Sequence, residues 1–74
     1  MSQRTMYLTS AGRKELENEL ENLLKVKMPL IAQRIKEAKE LGDLSENAEY
    51  ATAKEDQGFI AGRILELQSI LSNA

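Results

Sequence analysis

Two carboxylates three residues apart, Asp43 and Glu46, are the residues of this sequence best suited to chemistry. They stand in the stretch Gly42-Asp43-Leu44-Ser45-Glu46-Asn47-Ala48-Glu49-Tyr50. Three apart in the first turn of a helix, they share a face. Such a pair suits Mg²⁺, which takes oxygen ligands and keeps positions open for phosphate and water. The same spacing is that of a capping box, with Asp43 as N-cap and Glu46 reaching back to the backbone. Carboxylates also suit the positive end of a helix dipole. Spacing alone leaves both readings open. Hydrolysis also needs a pocket that orients the substrate, so the pair is not a complete active site. Near the same turn, Lys36, Lys39 and Lys54 could meet RNA phosphates or form ordinary solvated helix faces. Tyr50 could stack on a base or pack across to a neighbouring helix.

The composition narrows the chemistry further. The chain has 74 residues, room for one small domain with a simple core. It has no cysteine and no histidine, which removes thiolate metal sites, disulfides and the commonest general base. Ten Lys and Arg face twelve Asp and Glu, a net charge of −2. A protein that binds nucleic acid through phosphates carries a basic surplus, so this balance argues against more than weak DNA or RNA binding by the chain alone. No apolar run approaches the ~18 residues of a membrane span and no signal sequence follows Met1, so the expected compartment is the cytoplasm.

The elements that must position Asp43 and Glu46 are helices. Thr9 is a candidate N-cap, preceded by apolar Met6-Tyr7-Leu8 that could dock against a neighbour. From about Arg13 the apolar residues Leu16, Leu20, Leu23, Leu24, Met28, Ile31, Ile35 and Ala38 keep helical spacing. Gly42 is the flexible residue expected just past a helix end. A second series, Ala53, Ile60, Ile64, Leu67 and Leu71, forms a coiled-coil seam. The expectation is an all-α fold: residues 1–74 as one long antiparallel helical hairpin, a coiled coil with a tight acidic tip. Helices over about 13–41 and 44–72, each ~43 Å long, flank a tip at about 42–46. Facing residues should then have numbers summing to about 85, which sets Leu20 and Leu24 near Ile64 and Ile60. Pro29 either breaks the first helix or kinks it with a change of seam phase, and the kink is favoured. Gly58, roughly opposite, could accommodate the bend, and Gly62 is read as a close-packing position.

The nine-residue tip stretch is similar to the tip motif of the Gre transcript cleavage factors. Gln57-Gly58-Phe59-Ile60-Ala61-Gly62-Arg63-Ile64 and Leu71-Ser72-Asn73-Ala74 resemble the return helix of the family's GreA branch. Met6-Tyr7-Leu8-Thr9 and Gly12 match the family's opening, and Pro29-Leu30-Ile31 falls where its first helix carries a proline.

The resemblance implies that the hairpin enters the secondary channel of bacterial RNA polymerase. Asp43 and Glu46 would there help hold a Mg²⁺ shared with the polymerase and not expected on the free domain. The polymerase, not this protein, would be the nuclease that removes the 3′ end of backtracked RNA and rescues an arrested complex. Family members continue into a C-terminal FKBP-like domain that anchors them to the polymerase. With that domain absent, the expectation is weak binding and a monomer or weak dimer. Two alternatives remain: a channel-binding inhibitor that supplies no metal ligands, and a plain interaction module whose tip charge is irrelevant.

Overall fold

The computed structural model describes residues 8–73, and among these it is helix and turn with no strand. Met6, Tyr7 and Ala74, used in the sequence comparison above, lie outside the described residues. The first arm of the hairpin runs through α1 (Ser10–Asn22), a π-turn (Leu23–Lys27) and α2 (Met28–Lys39). A 3₁₀ turn (Leu44–Glu46) follows, and α3 (Ala48–Asn73) returns as the second arm. The result is a rod with extents of 48 × 26 × 13 Å, matching an antiparallel pair of the expected helix length.

The first arm starts three residues earlier than its apolar pattern suggests. The Thr9 side chain accepts a hydrogen bond from the Gly12 amide at 2.9 Å, so the helix begins at Ser10. The arm ends at Lys39, where short-range bonds from the Leu41 amide to the Ala38 carbonyl and from the Gly42 amide to the Lys39 carbonyl tighten the last turn. Gly42 then takes φ = +112°, a conformation that L side chains rarely adopt.

Pro29 does not break the arm, which stays helical from Ser10 to Lys39, and the expected change of seam phase lies just ahead of it. The Met28 amide donates to the Leu23 carbonyl, five residues back, which inserts one extra residue just ahead of the proline. The seam of the first arm therefore runs Leu16, Leu20, Leu23, then steps by five to Met28, and continues through Ile31, Ile35 and Ala38. Without the insertion Lys27 and Arg34 would have turned inward. One expected contact is corrected: the seam passes through Leu23 and not Leu24, which is left 45% exposed. In α3 the seam keeps unbroken heptad spacing through Tyr50, Ala53, Gln57, Ile60, Ile64, Leu67 and Leu71.

The core is thin. Ile31, Ile35 and Ala53 are buried, with Met28, Tyr50 and Ile60 packed against them. Ala38, Ile64 and Leu67 are also buried, Leu67 with no exposed surface at all. Polar contacts confirm the antiparallel register. Arg13 donates to the Leu71 carbonyl, Arg63 pairs with Glu19, and Arg34 pairs with Asp56 at 3.0 Å. Neither glycine of α3 has a packing role, contrary to the expectation above. A Cβ at Gly58 or Gly62 would meet nothing within 4 Å.

Arg63 grips Glu19 with two parallel bonds, Nε to Oε2 at 2.7 Å and Nη2 to Oε1 at 2.9 Å, and reaches Glu66 with Nη1. The hydrogen bonds from Arg63 hold the Glu19 carboxyl below its ordinary pKa, against a smaller desolvation effect, with the guanidinium charge adding to the lowering. The folded state therefore keeps Glu19 ionised at a pH where the unfolded chain has taken up the proton. The stabilisation is present above the ordinary glutamate range and is lost as pH falls through the folded value. Glu19→Gln is accordingly expected to lower the melting temperature near neutrality, with the gap to the unsubstituted chain closing on acidification below that range. Parallel melts by circular dichroism would check this. A gap that stays constant with pH would show that the pair contributes nothing through ionisation.

Candidate functional site

The tip is built by three short devices. Gly42 turns the chain at the end of the first arm. Asp43 then opens the 3₁₀ turn: its Oδ1 accepts from the Ser45 amide at 3.1 Å and from the Ser45 hydroxyl at 2.8 Å. Its carbonyl accepts from the Glu46 amide at 3.3 Å. Asn47 completes the turn and starts α3. The Asn47 Oδ1 accepts from the Tyr50 amide at 3.0 Å, while its Nδ2 donates to the Ala38 carbonyl at 2.6 Å.

This arrangement changes the expected start of the second helix from 44 to Ala48. A helix beginning at 44 would use Asp43 as its cap, but the 3₁₀ turn intervenes and Asn47 takes that place. Asn47 was not singled out by sequence reasoning, although asparagine followed by a helical pattern is a recognised N-cap signal. Its second bond, to the end of the opposite arm, is a tertiary contact with no local signature. Asn47→Ala removes both bonds and is expected to cost about 1–2 kcal/mol, read as a lowered midpoint in thermal or urea unfolding. A change below about 0.5 kcal/mol would remove Asn47 as the pin of the tip.

Asp43 and Glu46 are both exposed at this end of the rod. The two readings of the pair divide unequally. Asp43 does cap a turn, but with one carboxylate oxygen. Among the described residues its Oδ2 has no hydrogen-bond partner, and Glu46 makes no bond back to the Asp43 backbone. The capping box is therefore half formed, and three carboxylate oxygens at the tip have no hydrogen-bond partner among the described residues. Such hard oxygen donors fit Mg²⁺, and exposure leaves room for further ligands from outside. Among the described residues no group of three Asp, Glu, His or Cys could hold a metal ion.

The surrounding residues sort clearly. Lys36, Lys39 and Lys54 are exposed, Lys54 reaching Gln57 at 3.4 Å. Tyr50 is half-buried and packs against the cluster of Ile31, Ile35 and Ala53, so packing across the hairpin is the role the structure gives it. Ile60, Ile64 and Leu67 are seam residues, as expected.

A helical hairpin with this tip can be set beside known proteins. Residues 6–74 match the family described as transcription elongation factor, N-terminal, of GreA and GreB. The chain belongs to this family. Relatives of the GreA/GreB N-terminal family include proteins named transcription elongation factor GreA from three organisms. The one from Thermosipho melanesiensis is 55% identical over 74 residues, the whole of this chain and 47% of the relative. That from Mycoplasma genitalium is 57% identical over 68 residues, 92% of this chain and 42% of the relative. That from Bacillus cereus is 47% identical over 73 residues, 99% of this chain and 46% of the relative. The chain thus spans a little under half the length of these GreA proteins. Among the described residues no helix is long and apolar enough to cross a membrane.

Proposed function

We propose that this chain enters the secondary channel of bacterial RNA polymerase and stimulates the polymerase's own cleavage of backtracked RNA, returning arrested complexes to elongation. Membership of a transcription elongation factor family gives the context. The observation that carries the reading is the pair of exposed carboxylates, Asp43 and Glu46, at the end of a narrow 48 Å rod.

The chain's own residues do five things in this mechanism. The two arms hold the tip at the end of the rod, and Asn47 pins the turn to the end of the first arm. The Ser45 bonds fix Asp43 through Oδ1 and, among the described residues, leave Oδ2 without a hydrogen-bond partner. Asp43 and Glu46 together then offer oxygen ligands to a Mg²⁺ that the polymerase holds only in part. In the polymerase centre that ion would help activate water and stabilise the leaving oxygen of the phosphodiester. Lys36, Lys39 and Lys54, exposed on the helices that flank the tip, would meet RNA phosphates. The chain is not itself the nuclease, since two carboxylates on an exposed turn offer no substrate pocket.

Adding the chain in excess to a stalled, backtracked polymerase is expected to accelerate release of short RNA 3′ fragments and to restore extension. Slowed RNA synthesis without cleavage would replace this reading with that of a channel-binding inhibitor. The two bonds from Ser45 to Asp43 favour a second reading, in which the tip carboxylate serves only as a cap. In that case the hairpin is an interaction module, and removing tip charge would leave its activity unchanged.

A further inference from the structure

We infer that the hairpin carries a flexural joint at its midpoint, where the π-turn Leu23–Lys27 faces the Gly58–Gly62 stretch of α3, so that the tip half swings as a unit against the base half. Four independent features meet at this level. The first arm is weakened there, because the π-turn bond from Met28 to Leu23 replaces a regular one and Pro29 has no amide to give the Lys25 carbonyl. The second arm is weakened opposite, by two helical glycines that no packing requires.

The core thins at the same place. On the tip side Ile31, Ile35 and Ala53 form one buried cluster, which only the half-buried Met28 and Ile60 extend toward the joint, while Ile64 and Leu67 are buried on the base side. No residue of the π-turn is buried, and Val26 is 43% exposed. An open cleft of about 480 Å³ lies on the surface beside it, lined by Leu23, Lys27, Leu30, Phe59 and Ile60 and bounded on the tip side by Ile31 and the Arg34–Asp56 pair. The ion pairs between arms respect the same division. Glu19–Arg63 ties the base half, Arg34–Asp56 ties the tip half, and among the described residues none spans the level between them.

Each half is thus a short packed unit with its own apolar contacts and its own strap, joined by two helical segments of reduced stiffness. Sharp bends in helices occur at prolines, π-bulges and glycines, and here all three lie at one level of the rod. Bending changes the cleft between Leu30 and Phe59 and leaves the cluster of Ile31, Ile35 and Ala53 intact. The tip can then change direction relative to the base while Asn47 and Ser45 keep its internal geometry.

The chain has no cysteine, so two introduced cysteines carry the only spin labels. Lys14→Cys with Lys36→Cys spans the joint along the first arm. Lys36→Cys with Glu55→Cys lies within the tip half and serves as the control. All three positions are exposed. A swing of about 20° changes the separation of labels standing ~6 Å off the axis by about 2 Å. Pulsed electron resonance is expected to give a distance distribution about 2 Å broader for the joint-spanning pair than for the control. Adding Gly58→Ala and Gly62→Ala is expected to narrow the first distribution and leave the second unchanged. Alanine meets open space at both positions and favours helix, so the fold is kept, with circular dichroism as the check. Equal widths for the two pairs, or a joint-spanning width that the alanines leave unchanged, would overturn the inference.

Discussion

Stimulation of transcript cleavage is expected to fall by at least ~10–100-fold when Asp43 is replaced by Asn, with the hairpin still folded. That range is the usual loss on removing even an outer-shell partner of a metal ligand, and a direct ligand should cost no less. The substitution separates the two roles that meet in this side chain. Asparagine retains the Oδ1 that accepts both bonds from Ser45, and it caps about as well as aspartate. It lacks the negative charge and the second carboxylate oxygen, the parts that the turn leaves unused. Cleavage of labelled RNA in a backtracked complex gives the activity, and circular dichroism on the same samples gives the fold. Equal stimulation by both proteins would leave Asp43 as a cap and remove the metal-ligand mechanism. Glu46→Gln is the companion test, since Glu46 makes no reciprocal cap among the described residues.

The largest effect on stability is expected from Leu67→Ala. Leu67 has no exposed surface, and a fully buried leucine cut to alanine costs about 2–5 kcal/mol in transfer and cavity terms. A single core in a domain of this size supplies little more than about 3–5 kcal/mol. The variant is therefore expected to be largely unfolded at 25 °C, or to melt at least about 10 °C lower. Leu65→Ala is the matched control: the same residue type two positions earlier, 68% exposed, is expected to shift stability by under about 0.5 kcal/mol. Similar losses for both would show that the hairpin gains its stability from helix propensity and not from this seam.

The contrast between Leu65 and Leu67 also shows how much could be read without coordinates. Heptad spacing in the second arm places Leu67 inside, because a straight helix presents every third and fourth residue to its partner. Nothing interrupts that arithmetic in α3, and its seam from Ala53 to Leu71 is legible directly. The antiparallel hairpin follows from two apolar series of equal length separated by Gly42. Asp43 and Glu46 stand out because their type and position at the turn are local properties.

The first arm was less legible. Pro29 announces a disturbance, but its local chemistry does not say whether the helix breaks, kinks or takes in a residue. The facing arm settles that question: one inserted residue returns Ile31, Ile35 and Ala38 to the side where Ala53 lies. The tip divides in the same way. Its acidic pair and its turn were set by residue chemistry alone. The start of α3 at Ala48, and the cap that starts it, depend on the Asn47 bond to the Ala38 carbonyl nine residues earlier. Patterns of spacing specify which face of each helix is apolar, since that is a property of one segment. The phase between the two arms, and which polar side chain closes the turn, are fixed only when both segments bury their faces against each other.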